Sequence, residues 1–144
     1  MSEKEILSVE QFTRRLVELC LRSNLSAFPK KELDQHILLK SAVLIIGDHG
    51  VLSEKTVTEK LNVWTTDVCQ IQGFDRVTLR RYLVDAGYIT RSRDGATYQV
   101  VQPDPGANFF APEVGQLDVL QALADARAEI ARRKQEFIDK AKRS

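Results

Sequence analysis

Hydrophobic side chains recur along most of this chain at the three- and four-residue steps of amphipathic helices. The pattern predicts a first helix over about residues 8–23, with Ser8 as its N-cap. It predicts a second helix from near Pro29, because the fixed backbone angle of proline suits a first turn. Residues 37–46 are apolar on nearly every side, which is typical of a central helix. This helix is expected to end at residues 47–50, where two glycines can adopt the left-handed cap.

A third and shorter helix is predicted after Ser53, which is placed as its N-cap. The two residues before it, Val51 and Leu52, are consistent with a short strand. Residues 62–73 contain β-branched and aromatic side chains without a clear period. This segment is therefore predicted to be a loop with local structure.

The next part of the chain predicts a capped helix and then a tight ribbon. Asp75 is placed as the N-cap of a fourth helix, and Gly87 closes it where a positive φ is needed. Residues 88–91 and 97–101 are predicted strands, and residues 92–95, which end in Asp-Gly, join them as a turn. A capped helix followed by a short ribbon is the second half of a winged helix-turn-helix. The predicted fold is therefore mainly α with a small β-ribbon, an α+β class.

Both ends of the chain extend this core. Residues 103–112 are rich in Pro and Gly, and Phe109 and Phe110 are expected to pin this linker to the body. A long helix should follow, whose basic last turns are interpreted as a solvated end that complements the helix dipole, with a nucleic-acid contact as the alternative. Its spacing is too irregular to predict a coiled coil. The predicted division of the chain is an N-terminal helix over residues 1–27 that packs on the core or swaps with it, a winged-helix core over 28–102, the linker over 103–112, and the C-terminal helix over 113–144.

Composition narrows the class of protein. The 144 residues carry a net charge of +1, which is less basic than a dedicated nucleic-acid binder. No basic start with an apolar run marks a signal peptide, and no apolar run is long enough to cross a bilayer. A cytoplasmic protein without membrane contact is expected. Cys20 and Cys69 are interpreted as small apolar residues in a reduced compartment.

Motifs for catalysis and for cofactors are missing from the sequence. It contains no Gly-rich phosphate loop, nucleophile elbow or His-Glu motif. His36 and His49 have no third ligand at metal-binding spacing, so they are interpreted as core or surface histidines. The expectation is a protein that is not an enzyme and that holds no metal and no cofactor.

Three segments resemble a known family: FPKK at residues 28–31, LSEKTVTEKLN at 52–62, and DRVTLRRYLVDAGYITRSRDGATYQV at 75–100. They resemble the DUF2087 family, a small bacterial domain of unknown function that occurs alone or attached to transcriptional regulators. The resemblance implies a winged-helix-like fold and a regulatory role, and it supplies no catalytic residues. The chain departs from the family in its longer segment over residues 62–74 and in both flanking helices.

The fourth helix and the ribbon turn carry the candidate contacts to double-stranded DNA. In a winged helix this helix enters the major groove, and phosphate and base contacts require Arg, Lys, Thr and similar side chains. The candidates are Arg76, Thr78, Arg80, Arg81, Arg91 and Arg93. The competing interpretation is that these arginines support the fold.

Helical spacing orders these candidates. Arg81 and Asp85 are four residues apart and can pair, which would offset the charge that a phosphate contact needs. Arg80 is a candidate structural arginine that anchors the wing or the first helix. Arg93 lies at the tip of the turn, where a side chain is exposed, and is therefore the least compromised candidate for a DNA contact. The helix is expected to pack on two flanks, through Leu79, Tyr82, Leu83 and Ala86 on one side and Val77 and Val84 on the other.

Two function classes remain open. The first is a DNA-binding transcriptional regulator of winged-helix type. The second is a protein-interaction or dimerisation module that does not bind DNA. In either class a homodimer formed through a terminal helix is expected. Trp64 is either an exposed anchor for a partner or, more plainly, a residue that caps the core between helices.

Overall fold

The computed structural model describes residues 6–47 and 50–143 and is mostly helical with one small sheet. This confirms the predicted α+β class. Residues 48 and 49, which include His49 and part of the predicted end of the second helix, lie outside the described residues. The elements are α1 (Val9–Val17) with a π-helical turn (Glu18–Arg22), α2 (Glu32–Ile46), β1 (Val51–Ser53), α3 (Glu54–Val63) with a second π-helical turn (Trp64–Val68), α4 (Arg76–Asp85), β2 (Ile89–Arg91), β3 (Thr97–Val100), two 3-10 turns (Pro105–Asn108 and Pro112–Gln116) and α5 (Val119–Arg143).

The sheet has three antiparallel strands in the order β1–β3–β2. The predicted ribbon is the β2–β3 pair, in which Ile89 lies opposite Val100. Strand β1 pairs with the other edge of β3, with Val51 opposite Gln99. The short segment before the third helix therefore completes the sheet.

The core surrounds α2, which is buried on most of its circumference. This agrees with its all-round apolar sequence, since such a helix has no face that prefers water. Full burial of one large aliphatic or aromatic side chain stabilises the fold by about 1.5–3 kcal/mol. The largest fully buried side chains come from all parts of the chain: Phe12, Leu16, Ile37, Leu38, Ile46, Val57, Leu61, Trp64, Leu79, Leu83, Tyr88 and Leu123.

Three predicted N-caps are confirmed. Ser8 forms a capping box with Gln11, and the hydroxyl of Ser53 accepts a hydrogen bond from the Thr56 amide. Asp75 accepts from the Thr78 amide at 2.8 Å. Each cap satisfies a backbone amide that has no partner within its own helix.

Two helix starts were predicted too early. Helix α2 begins at Glu32, because Lys31 is still extended, and the Pro29 carbonyl accepts a hydrogen bond from the Gln35 side chain instead of opening the helix. Helix α5 begins at Val119 and not at residue 113. Asp118 accepts from the Gln121 amide and so provides a later cap.

The segment over residues 62–73 is more helical than predicted. Helix α3 continues to Val63, and the π-helical turn then carries the chain to Val68. A π-helical turn shifts the helical period, which explains why the sequence shows no regular spacing here. Trp64 is fully buried and donates its indole N–H to the Ser41 hydroxyl at 2.8 Å. The hypothesis of an exposed partner anchor was wrong, and Trp64 caps the core.

The Pro/Gly-rich segment is pinned to the body, as predicted. The Phe110 ring is buried and meets Phe12 edge-on at 4.9 Å. The Phe109 ring stacks on His36 at 4.3 Å. Buried Asp104 accepts from the Lys40 ammonium at 2.8 Å. Within the part of the chain that the structure describes, no helix is both long enough and apolar enough to cross a bilayer.

Candidate nucleic-acid interface

Helix α4 presents one face to the core and the other to solvent. Leu79 and Leu83 are fully buried, as predicted. Two other assignments were wrong: Tyr82 is 38% exposed and Val77 is 42% exposed. The Tyr82 ring lies edge-on to the ring of Phe28 at the rim of the core, with 4.9 Å between centroids, and Val77 faces a surface cleft. The outer face of α4 is therefore broader than the sequence pattern indicated.

A cleft of about 360 Å³ lies between α4 and the strands that follow it. It brings together three of the six predicted residues, Arg80, Arg81 and Arg91. The other side chains that line it are Val77, Val84, Asp85 and Tyr98. Arg81 and Arg91 are both exposed, so their charges are available at the mouth of this cleft.

Arg80 is a structural arginine, as one of the two interpretations proposed. Its guanidinium donates to the Thr58 hydroxyl at 2.8 Å and to Glu54 at 3.3 Å. The same group lies over the Tyr98 ring, 5.3 Å from the centroid. Arg80 thus connects α4 to α3 and to β3, and Glu54 offsets its charge.

Arg91 is positioned by the turn of the ribbon. Its guanidinium passes beneath Gly95, which has a φ of +73°. A Cβ atom at position 95 would push the flexible Arg91 guanidinium aside, so glycine is required here chiefly for the backbone angle. This packing holds Arg91 across the ribbon.

Arg93 is exposed in the turn between β2 and β3, as predicted. The turn itself is held by Asp94, which accepts from the Ser92 hydroxyl at 2.7 Å and from the Ala96 amide at 3.0 Å. These hydrogen bonds lower the pKa of Asp94 below its ordinary value, and the bond from the Ala96 amide has the larger effect. Arg93 forms no ion pair with any of the described residues.

Arg76 and Thr78 lie at the other end of α4. Arg76 is exposed and lines a separate groove of about 590 Å³ against α3, near Glu54 and Glu59. Thr78 is half-buried and is used by the cap of the helix. Hydrogen bonds from its amide and its hydroxyl lower the pKa of Asp75. These two residues are therefore separate from the cluster that contains Arg81 and Arg91.

The charges of this surface are mixed. Its five arginines are accompanied by Asp75, Asp85 and Asp94. Arg81 and Asp85 can pair by their spacing, but they form no ion pair among the described residues, although both side chains line the same cleft. Arg81 keeps its donors free for another acceptor.

A second polar cluster, not predicted from the sequence, lies along α2. His36 Nδ1 is 2.6 Å from the Tyr88 hydroxyl, and Lys40 binds Asp104 one turn further along α2. Burial lowers the pKa of His36 and raises that of Tyr88. The only sequence signal is the i, i+4 spacing of His36 and Lys40 on an otherwise apolar helix. The cluster attaches the segment after β3 to α2.

The two cysteines lie close together, Cys20 within the first π-helical turn and Cys69 directly after the second. The Cys20 thiol is hydrogen-bonded to Cys69, and this contact together with burial raises the pKa of Cys20. A protonated thiol is a poor nucleophile, so Cys20 lacks the character of a reactive cysteine. No group of three or more His, Cys, Asp or Glu residues with metal-binding geometry occurs in the described ranges.

Comparison with known families identifies the central part of the chain. A family model described as an uncharacterized protein conserved in bacteria, DUF2087, matches residues 24–100, just over half of the sequence. The chain belongs to the DUF2087 family. The DUF2087 region includes α2 to β3 and therefore all six candidate residues, whereas α1 and α5 lie outside it. No curated protein and no solved structure gives a significant match.

Proposed function

We propose that this protein binds double-stranded DNA through α4 and the β2–β3 turn and acts as a non-enzymatic transcriptional regulator in the cytoplasm. The observation that carries the proposal is the cleft in which α4 and the ribbon bring Arg81 and Arg91 together. Guanidinium groups bind phosphate oxygens with two parallel hydrogen bonds, so two exposed arginines side by side suit a nucleic-acid backbone.

The order of the elements supports the proposal. Helix α2, strand β1, helices α3 and α4, and then the β2–β3 ribbon follow one another, with β1 and β2 on either side of β3. This is the arrangement expected of a winged helix-turn-helix, with α4 as the recognition helix and the ribbon as the wing. In such a protein the recognition helix lies in the major groove and its flanks contact the backbone.

The division of roles follows from exposure. Arg81, Arg91 and Arg93 are exposed and form no ion pair among the described residues, so they are the proposed phosphate contacts. Arg76 is a further contact at the start of α4. Arg80 and Thr78 are held by the protein itself and are proposed to position the helix.

Binding of the full chain to a labelled mixed-sequence duplex tests the proposal. Fluorescence anisotropy at low and at physiological salt should show saturable binding that weakens steeply with salt, since phosphate contacts release counterions. Each of Arg81→Ala, Arg91→Ala and Arg93→Ala should weaken binding and reduce the salt slope by about 1. Arg14→Ala is the matched control, because Arg14 is exposed on α1, far along the chain from this surface.

The result has two decisive forms. Binding that depends on Arg81, Arg91 and Arg93 but not on Arg14 supports α4 and the ribbon as the DNA surface. An absence of binding at low salt, or equal losses in all four variants, would overturn it.

A second candidate function, a protein-interaction or dimerisation module without DNA binding, is favoured by one observation. Helix α5 continues far beyond its last buried residue, Leu123, and residues 131–143 are all exposed. A helix that leaves the body of the protein in this way offers a surface to a partner or to a second copy.

A further inference from the structure

The end of α5 is exposed to solvent along its whole length. Residues 131–143 are exposed throughout and extend about 20 Å at 1.5 Å per residue. An isolated helix of roughly this length is marginal in water, and most helical stability in proteins comes from packing of an apolar face. A partner that covers one face would therefore stabilise it.

One face of this segment is apolar around a single lysine. Residues three and four positions apart are neighbours on a helix surface. The neighbours of Lys134 by this rule are Ile130, Ala131, Phe137 and Ile138, all apolar. Phe137 is 75% exposed. These four residues and Lys134 are called the α5 patch below.

The acidic side chains of this helix are engaged away from the α5 patch. Glu129 binds Arg132 at 2.6 Å and Arg133 at 2.9 Å, and Glu136 also binds Arg132. Asp139 accepts a hydrogen bond from the side-chain amide of Gln135 at 3.0 Å. Among the described residues, by contrast, Lys134 takes part in no ion pair and no hydrogen bond. The α5 patch thus combines apolar area with an uncompensated positive charge at its centre.

We propose that the α5 patch docks an acidic amphipathic helix of a partner protein, with a partner carboxylate paired to Lys134. The proposal rests on the second candidate function and names the chemistry of its partner. Covering Phe137 and the two isoleucines supplies apolar burial, and a carboxylate at the centre removes the cost of enclosing an unpaired ammonium. Helix-in-groove and helix-on-helix recognition use this arrangement of apolar anchors three and four residues apart.

Other occupants match the α5 patch less well. A second copy would add another Lys134 and no carboxylate on either patch. An anionic membrane would have to accept Lys134 in the middle of the apolar face, whereas membrane-surface helices carry their cations on the polar side. A duplex whose bases stay stacked offers phosphates to Lys134 but no apolar surface that would cover Phe137 and Ile138.

A pair of designed peptides tests the chemistry with the full-length protein. Both are labelled helical peptides with leucine at three- and four-residue steps; one has glutamate beside the leucines and the other has lysine there. Fluorescence anisotropy should show the acidic peptide binding about tenfold more tightly, a difference of about 1.4 kcal/mol. Lys134→Glu should reverse the preference, and Phe137→Ala should weaken both complexes. Lys55→Glu, the same charge reversal on exposed α3, should change neither.

Three results would overturn the proposal. Equal binding of the two peptides, or binding that survives Lys134→Glu and Phe137→Ala, would separate docking from the α5 patch. Binding to phosphatidylserine vesicles in place of the acidic peptide would assign the patch to a membrane. Self-association of the chain that Phe137→Ala abolishes would assign it to a second copy. Because α4 is intact in every variant, duplex binding remains an independent measurement of the DNA proposal.

Discussion

Helices α4 and α5 both display cations, but the surroundings of those cations differ. On α4 the exposed arginines line a cleft beside a sheet, and a neighbouring arginine is fixed by Thr58, Glu54 and Tyr98. On α5 the exposed lysine stands among apolar side chains on a helix that has left the body. Several exposed arginines presented by one folded surface suit the phosphates of a duplex. A cation within an apolar patch suits a protein surface. The net charge of the whole chain, +1, does not reveal this difference between α4 and α5.

The largest expected effect separates the anchored half of α5 from its free half. Leu123 is fully buried, and Leu123→Ala should lower the free energy of unfolding by about 3 kcal/mol, because it leaves a cavity in the core. Phe137→Ala should change it by less than about 0.5 kcal/mol, since that ring is exposed. Urea unfolding of both variants at several protein concentrations measures the difference. A large loss in Phe137→Ala that grows with concentration would mean that the free half is buried between copies.

The next effect concerns the ribbon beside α4. Gly95→Ala should cost about 1–2 kcal/mol, mostly from its positive φ and to a smaller extent from moving the flexible Arg91 guanidinium aside. Gly73→Ala is the matched control: its φ of +70° is similar, but nothing lies within 4 Å of the added atom. It should therefore show only the backbone strain, about 1 kcal/mol. Thermal unfolding gives both costs, and only Gly95→Ala should also weaken duplex binding. Equal costs would show that Arg91 moves freely.

A smaller effect distinguishes fixed from free arginines on α4. Arg80→Ala should lower the free energy of unfolding by about 1 kcal/mol, because it removes hydrogen bonds and a ring contact from a side chain that is 18% exposed. Arg81→Ala should lie within about 0.5 kcal/mol of the parent protein. Chemical denaturation measures both, and duplex binding should rank them in the opposite order once both are fully folded. If stability and duplex binding ranked the two variants in the same order, Arg80 and Arg81 would not have separate structural and binding roles.

The sequence predicted the helices, the ribbon and three N-caps because these depend on local spacing and on single capping residues. The positions of side chains across elements were harder to predict. Arg80 finds its partners on α3 and β3, more than fifteen residues away in each direction, and no local pattern contains that information. Tyr82 has core-like spacing but lies at the rim, where Phe28 provides the contact. Likewise, the π-helical turn at Trp64 breaks the period on which prediction over that segment depended.

Candidate residues show the same division. Arg93 was predicted to be exposed because a tight turn projects its side chain, and this holds. The proximity of Arg81 and Arg91 depends on how α4 lies against the sheet, which only the fold determines. The basic end of α5 was interpreted as a solvated helix end, and its charge run was visible in the sequence. The sequence alone did not show that the acidic side chains pair away from the α5 patch, because this depends on the ion pairs that form on the folded helix.

The smallest expected effect is a difference in how two carboxyl groups on these helices respond to salt. Hydrogen bonds from the Thr78 amide, the largest cause, lower the pKa of Asp75 at the start of α4. Contacts with Arg132 and then Arg133 lower the pKa of Glu129 on α5. In both cases the folded-state pKa lies below the unfolded value. Each group therefore stabilises the fold at pH values above its unfolded pKa, and this contribution is lost as the pH falls through the folded pKa.

Salt should act on only one of these two carboxyl groups. The partners of Glu129 are exposed ionic groups, which about 1 M salt screens within a few ångströms. Its pKa should therefore rise toward the ordinary value at high salt. The pKa of Asp75 should stay low, because its main partner is a neutral backbone amide at 2.8 Å. Carboxyl chemical shifts followed by NMR from neutral to acidic pH at low and high salt give both values. Equal salt shifts would mean that the Asp75 cap depends on nearby Arg76 more than on the backbone, and the two helices would then respond alike.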